Sequence, residues 1–188
     1  MANKLFQIEA VGVNPSDVDV EFEGASKVLT DWANKAIKGF QANMDKYGSR
    51  ALYSTGNLRS GIVPLPVQRF GKSYQVEIVA PKYWKFQEYG VRGARGGSCA
   101  PNSPFQYTNH LPPLEAFKKW VTFKALASGS DAKKLDQIAD KYRRLVFMYG
   151  IKAKPFVQPY LTEDNLNDLA EQMADYMAGQ AVAVLLPK

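Results

Sequence analysis

The stretch VPLPVQRFGKSYQVEIVAP, residues 63–81, decides the fold class. Tyr74, Val76, Ile78 and Ala80 alternate with Gln75, Glu77 and Val79, the period-two pattern of a strand with one buried face. The run before it carries Pro64 and Pro66, which cannot donate to a ladder, so that strand belongs at a sheet edge. Gly71-Lys72 supplies the turn between them, and the pair reads as an antiparallel β-hairpin. Pro81 closes it. Helical patterns flank the hairpin on both sides without a strand–helix alternation, so the chain is predicted to be α+β.

Upstream, Leu29, Trp32, Ala33, Ala36, Ile37, Phe40 and Met44 recur at spacings of three and four, one apolar stripe of a long helix opening at Gly24. Ser26 is the expected N-cap and Gly48 the expected terminator. Residues 4–13 read as a strand, with Phe6, Ile8 and Ala10 alternating. Residues 17–23 alternate acid and apolar, either a second strand or an extended lead-in. Downstream, KYWKFQEYG (82–90) is a short aromatic helix or an irregular turn, and the Gly/Pro-rich run 91–113 is a long loop. Leu114, Phe117, Trp120 and Val121 predict a helix over about 113–126. Leu135, Ile138, Tyr142, Leu145 and Tyr149 predict another from Asp131, with Arg143 and Arg144 suited to its C-terminal end. Thr162 caps a last helix with Glu163 and Asp164 in its first turn and Leu166, Leu169, Met173 and Tyr176 as its stripe. Residues 181–186 are an apolar tail, packed or swapped onto a neighbour.

At 188 residues, 46% hydrophobic and 22% charged, the chain fits one folded domain, 1–188. The single cysteine, Cys99, excludes an internal disulfide and a Cys-rich zinc site, and suits a reducing compartment or a particle assembled there. No apolar run approaches the ~18 residues of a membrane span. MANKLFQIEA lacks the apolar core of a signal peptide, and Asn14-Pro15-Ser16 has a proline that forbids glycosylation. A net charge of +6 is compatible with acidic partners without identifying one.

Catalytic chemistry finds little footing. Gly71-Lys72-Ser73 ends like a P-loop, but Pro66 stands where the first glycine should be and a strand follows instead of a helix. Gly93, Gly96 and Gly97 lack dinucleotide-loop spacing. His110 is the only histidine and has no motif partner, so neither a metal set nor a nucleophile–base pair is legible. No catalytic, cofactor-binding or metal-binding residue is expected. Arg92 and Arg95 either form a mobile cationic finger reaching phosphates or a solvated surface loop. Tyr83, Trp84, Phe86 and Tyr89 read as core or interface packing more readily than as a base-stacking platform.

Three signatures occur in order: STGNLRSGI (54–62) after the long helix, YWKFQEYG (83–90) after the hairpin, and GIKAKPFVQPYL (150–161) before the last helix. In that order they resemble the neck family of long-tailed bacteriophages, also called head–tail joining, tail-completion or minor head-tail connector proteins. Thr55, Gly56, Leu58, Arg59, Ser60 and Ile62 match the family's first segment with one extra glycine, Gly61. Glu88, Tyr89 and Gly90 match the second, and Lys154, Pro155, Phe156, Val157, Pro159, Tyr160 and Leu161 the third. The resemblance covers about 25–90 and 142–180. It implies a small antiparallel sheet packed against a long N-terminal and a C-terminal helix, with a loop and helical pair inserted at about 91–141. It further implies a non-enzymatic virion protein forming a homo-oligomeric ring, six- or twelvefold, at the head–tail junction. Adjacent neck, tail-terminator or tail-tube proteins would be its partners, and DNA would touch the lumen non-specifically. Arg92, Arg95, Tyr83, Trp84, Phe86, Tyr89, Phe156 and Tyr160 are then the interface or lumen candidates. Physically, Leu58 and Ile62 lie four apart facing a core while Arg59 is free to pair with a carboxylate such as Glu88. Pro155 and Pro159 bias their preceding residues to extended backbone, predicting a stiff extended arm. A small basic nucleic-acid-binding module is the alternative, opposed by acids spread over 17–23 and 164–175.

Overall fold

In the computed structural model, residues 2–11, 22–47, 57–70, 73–95, 99–124 and 131–185 are described. The architecture is α+β, and the chain divides into two compact units. One comprises Met1–Asn43, Arg59–Lys82 and Val157–Lys188; the other comprises Met44–Leu58 and Tyr83–Phe156.

The first unit is built on strand β4, whose alternation buries Tyr74, Val76, Ile78 and Ala80 as the period predicts. In chain order its sheet contains β1 (Ala2–Val11), β2 (Val63–Pro64), β3 (Gln68–Phe70) and β4 (Ser73–Pro81). All pairings are antiparallel: β1 covers one side of β4, with a register shift between Lys4 and Phe6, and β2 and β3 share the other. Between β2 and β3, where Pro66 has no N–H to donate, one bond, Leu65 N–H to the Glu77 carbonyl at 2.7 Å, bridges the gap.

Helix α1 (Phe22–Asp45) buries the whole predicted stripe from Leu29 to Met44. Burying each large side chain of that stripe contributes roughly 1.5–3 kcal/mol. The helix begins before the expected cap, so Ser26 lies inside its second turn instead of capping it. Ala25, fully buried, extends the apolar face N-terminally, and that packing carries the helix past the serine. Residues 12–21 and Gly48 lie outside the described residues. The last helix of the chain, Glu163–Leu185, runs antiparallel to α1: Lys35 meets Asp168 at 2.7 Å, and the Tyr176 ring lies against Gly24. Trp32 Nε1–H donates to the Asn165 carbonyl at 3.1 Å.

The second unit takes the buried Leu58 from a short turn of helix, α2 (Asn57–Ser60), whose Arg59 and Ser60 are counted with the first. Helix α3 (Trp84–Glu88) replaces the helix-or-turn ambiguity with one helical turn. The inserted helices are α4 (Leu114–Phe123) and α5 (Ala132–Tyr149), joined by Lys118–Asp136 at 2.9 Å and an edge-on Trp120–Tyr142 ring pair at 5.2 Å. Arg143 and Arg144 both grip Asp140, one turn back on α5. A ladder of two residues per strand, β5 (Val91–Arg92) with β6 (Gly150–Ile151), closes the insertion antiparallel. The final helix, Glu163–Leu185, is α6.

Candidate functional site

The chemistry-bearing residues of the second unit gather around α3. One face of this helix is internal: Trp84 and Glu88, four residues apart, are buried. The other face carries Tyr83, Phe86 and Tyr89 at spacings of three, each about two-fifths exposed (40%, 42% and 39%). A five-residue helix aromatic on its solvent side and also buried on its inner side is not an ordinary amphipathic element. Large exposed aromatics clustered together mark contact surfaces.

Two sequence signatures meet on the buried side. The Glu88 carboxylate accepts the Phe156 backbone N–H at 2.7 Å, 68 residues away in sequence. Lys154 N–H donates to the Gln87 carbonyl at 2.8 Å, and the Tyr47 hydroxyl donates to the Pro155 carbonyl at 3.3 Å. Gly90 then turns the chain with φ +69°, a left-handed conformation. A Cβ at this glycine would stand 2.5 Å from the Ile151 carbonyl oxygen and 2.7 Å from the Ala153 nitrogen. The E-Y-G signature thus supplies a buried acceptor, a surface aromatic and a residue that must lack a side chain.

Sequence reasoning missed the brace under the exposed aromatics. The Ser103 hydroxyl, buried, donates to the Gly90 carbonyl at 2.8 Å and accepts the Phe105 N–H at 3.1 Å. This holds Phe105 edge-on to Phe86 at 4.8 Å between ring centres and beside Tyr89 at 6.4 Å. Ser103 and Phe105 sit in a loop without periodicity, where nothing in the sequence distinguishes them.

Where the sequence allowed a mobile cationic finger or a solvated surface loop, the segment of Arg92 and Arg95 is tethered through its backbone. Arg92 N–H donates to the Phe105 carbonyl at 2.8 Å, and the Arg92 carbonyl accepts Tyr107 N–H at 2.9 Å. Ala94 and Arg95 donate to the Phe147 and Met148 carbonyls at 2.8 and 3.2 Å. Backbone bonds to a helix end fix the segment, although the Arg95 side chain is exposed and that of Arg92 half-buried. Glu88 is the only acid in 82–113 and none occurs in 142–161, whereas Lys82, Lys85, Arg92, Arg95, Lys152 and Lys154 all lie there. Half-buried Lys154 has its pKa lowered by burial first, then by the neighbouring charges of Lys124 and Lys152. Burial also raises the pKa values of Tyr83 and Tyr107.

The remaining candidates divide clearly. Of the interface or lumen candidates, Phe156, fully buried, and Trp84, buried, are packed within the chain, as the core-packing reading of the aromatic run allowed for Trp84. Tyr160 is half-buried in the first unit, its ring edge-on to Phe40 at 5.5 Å and to Trp32 at 6.5 Å, and pressed on Gly39. The expected stiff extended arm ends in a turn: residues 152–155 have no regular secondary structure, and Tyr160 and Leu161 both donate to the Val157 carbonyl. Phe156 and Val157 are buried, and the turn that follows them seats Tyr160 on α1. Pro155 is half-buried and Pro159 exposed. Leu58 is buried; Arg59 is exposed, its carbonyl accepting Gln41 Nε2–H at 3.2 Å. Thr55 and Gly56 lie outside the described residues.

His110 is exposed, and no group of three or more His, Cys, Asp or Glu able to hold a metal occurs among the described residues. Likewise, no helix among them is long and apolar enough to cross a membrane. No family model, curated protein or solved structure matches the chain.

Proposed function

We propose that this chain is a non-enzymatic structural subunit of a bacteriophage neck. Six or twelve copies form a ring at the head–tail junction of the virion, between neck, tail-terminator and tail-tube proteins, and DNA passes through the lumen. The observation carrying this reading is the buried joint between Glu88 and Phe156. It makes two of the three signature segments, remote in sequence, parts of one structural device, as members of one motif set should be. The exposed Tyr83–Phe86–Tyr89 face supplies the contact area that assembly requires.

The test is to count copies. Mass photometry and negative-stain electron microscopy of the purified protein should give a closed ring, and antibody labelling should place it at the head–tail junction of particles. A monodisperse monomer at the highest soluble concentration, together with unlabelled junctions, overturns the reading.

The run of basic residues without exposed acids over 82–113 and 142–161 favours a second reading, a small nucleic-acid-binding module. That reading requires salt-sensitive duplex binding by the isolated monomer, measurable by fluorescence anisotropy.

A further inference from the structure

Two faces of the described chain are complementary in charge. Helix α6, Glu163–Leu185, contains no Lys or Arg. Its acids Asp164, Asp168, Glu171 and Asp175 follow spacings of four, three and four, one stripe at about 100° per residue. Asp164, Glu171 and Asp175 are exposed, and Asp168 is half-exposed beside Lys35. Buried Leu169 and Met173 occupy the opposite side, so packing fixes which way the stripe points. In the second unit, exposed Lys85 lies on α3 itself, and exposed Lys152 and half-buried Lys154 lie in the segment hydrogen-bonded to that helix. The bond from Lys154 N–H to the Gln87 carbonyl, at 2.8 Å, ties the segment carrying these lysines to the end of α3.

We infer that the basic aromatic face of α3 docks the acidic stripe of α6 from a second copy of this chain, head to tail. Two different patches are joined, so the contact is heterologous; such contacts propagate and close into a ring when the rotation fits. Charge complementarity selects the second copy as occupant: the stripe offers carboxylates to the lysines, and an incoming carboxylate offsets the mutual repulsion of Lys124, Lys152 and Lys154. The inference rests on the ring reading and specifies which surfaces make the ring.

Charge reversal on the full-length protein tests it. K85E/K152E and E171K/D175K change exposed side chains only. Each variant alone should self-associate at least about tenfold more weakly than the parent at low salt, by sedimentation velocity. Mixed one to one, they should reassemble, because each reversed face then meets a reversed partner and each native face a native one. Far-UV circular dichroism checks that both are folded, and recovery on mixing is itself possible only for folded chains. Parent protein that self-associates while both variants do so equally well overturns this interface and leaves the ring reading intact. Loss in both variants without recovery on mixing also overturns it. A parent that stays monomeric overturns ring and interface together.

Discussion

Single residues carry the joint between the signature segments. Removing the Glu88 carboxylate strands a buried amide, so Glu88→Ala is expected to cost about 1–3 kcal/mol. Glu88→Gln keeps a carbonyl acceptor and should cost less; urea midpoints that rank the two in the reverse order refute the hydrogen-bond account. Gly90→Ala places a side chain in left-handed backbone and against the Ile151 carbonyl. The conformational part alone is about 1–2 kcal/mol, and unchanged urea stability would contradict it. Lys154 carries a pH signature. Burial and like charges lower its folded pKa below the unfolded value of 10.5, so the unfolded state binds more protons over the interval between the two. Stability from this group therefore rises as pH climbs through that alkaline window, and below it the charged lysine is a destabilising element. Lys154→Met should be more stable than the parent at neutral pH and show a flatter alkaline profile in pH-dependent thermal melts.

At the scale of elements, α1 and α6 are matched by what one helix lacks. The Tyr160 ring, just ahead of α6, occupies the space over Gly39 of α1. Gly39→Ala forces the ring off α1 and is expected to cost about 1–3 kcal/mol. In a Tyr160→Ala background the same change should cost far less, and an additive double-mutant cycle would refute the contact. Both helices were legible in sequence because their stripes recur every three or four residues, and β4 because its apolar residues alternate. The β5–β6 ladder was not legible: two residues per strand leave no period, and Val91 finds Ile151 only because α4 and α5 return the chain there. The turn at 157–160 was not legible for a related reason: a proline biases only its own neighbour, whereas the seat of Tyr160 is made by Phe40 and Trp32 more than a hundred residues away.

At the scale of the molecule, stability and assembly should separate. Phe86 and Tyr89 are part-exposed on α3 and touch the chain through rings such as Phe105, so F86S and Y89S are expected to cost about 0.5–1.5 kcal/mol in urea stability. The same variants should nevertheless weaken self-association, by removing the aromatic anchors of a contact surface. Equal losses in both measurements would assign these rings to the chain's own packing instead.

The sequence by itself determined the α+β class, the central strand and the inward faces of the long helices, because each is written as a short-range period that any local window contains. It also contained the three signatures, but not why they belong together. Only the tertiary structure decided that Glu88 serves the Phe156 amide, that Trp84 and Phe156 are internal while Phe86 and Tyr89 are external, and that the Arg92 segment is tethered. Those outcomes depend on partners tens of residues away. A buried hydrogen bond or a packed ring leaves no periodic trace in the chain that makes it.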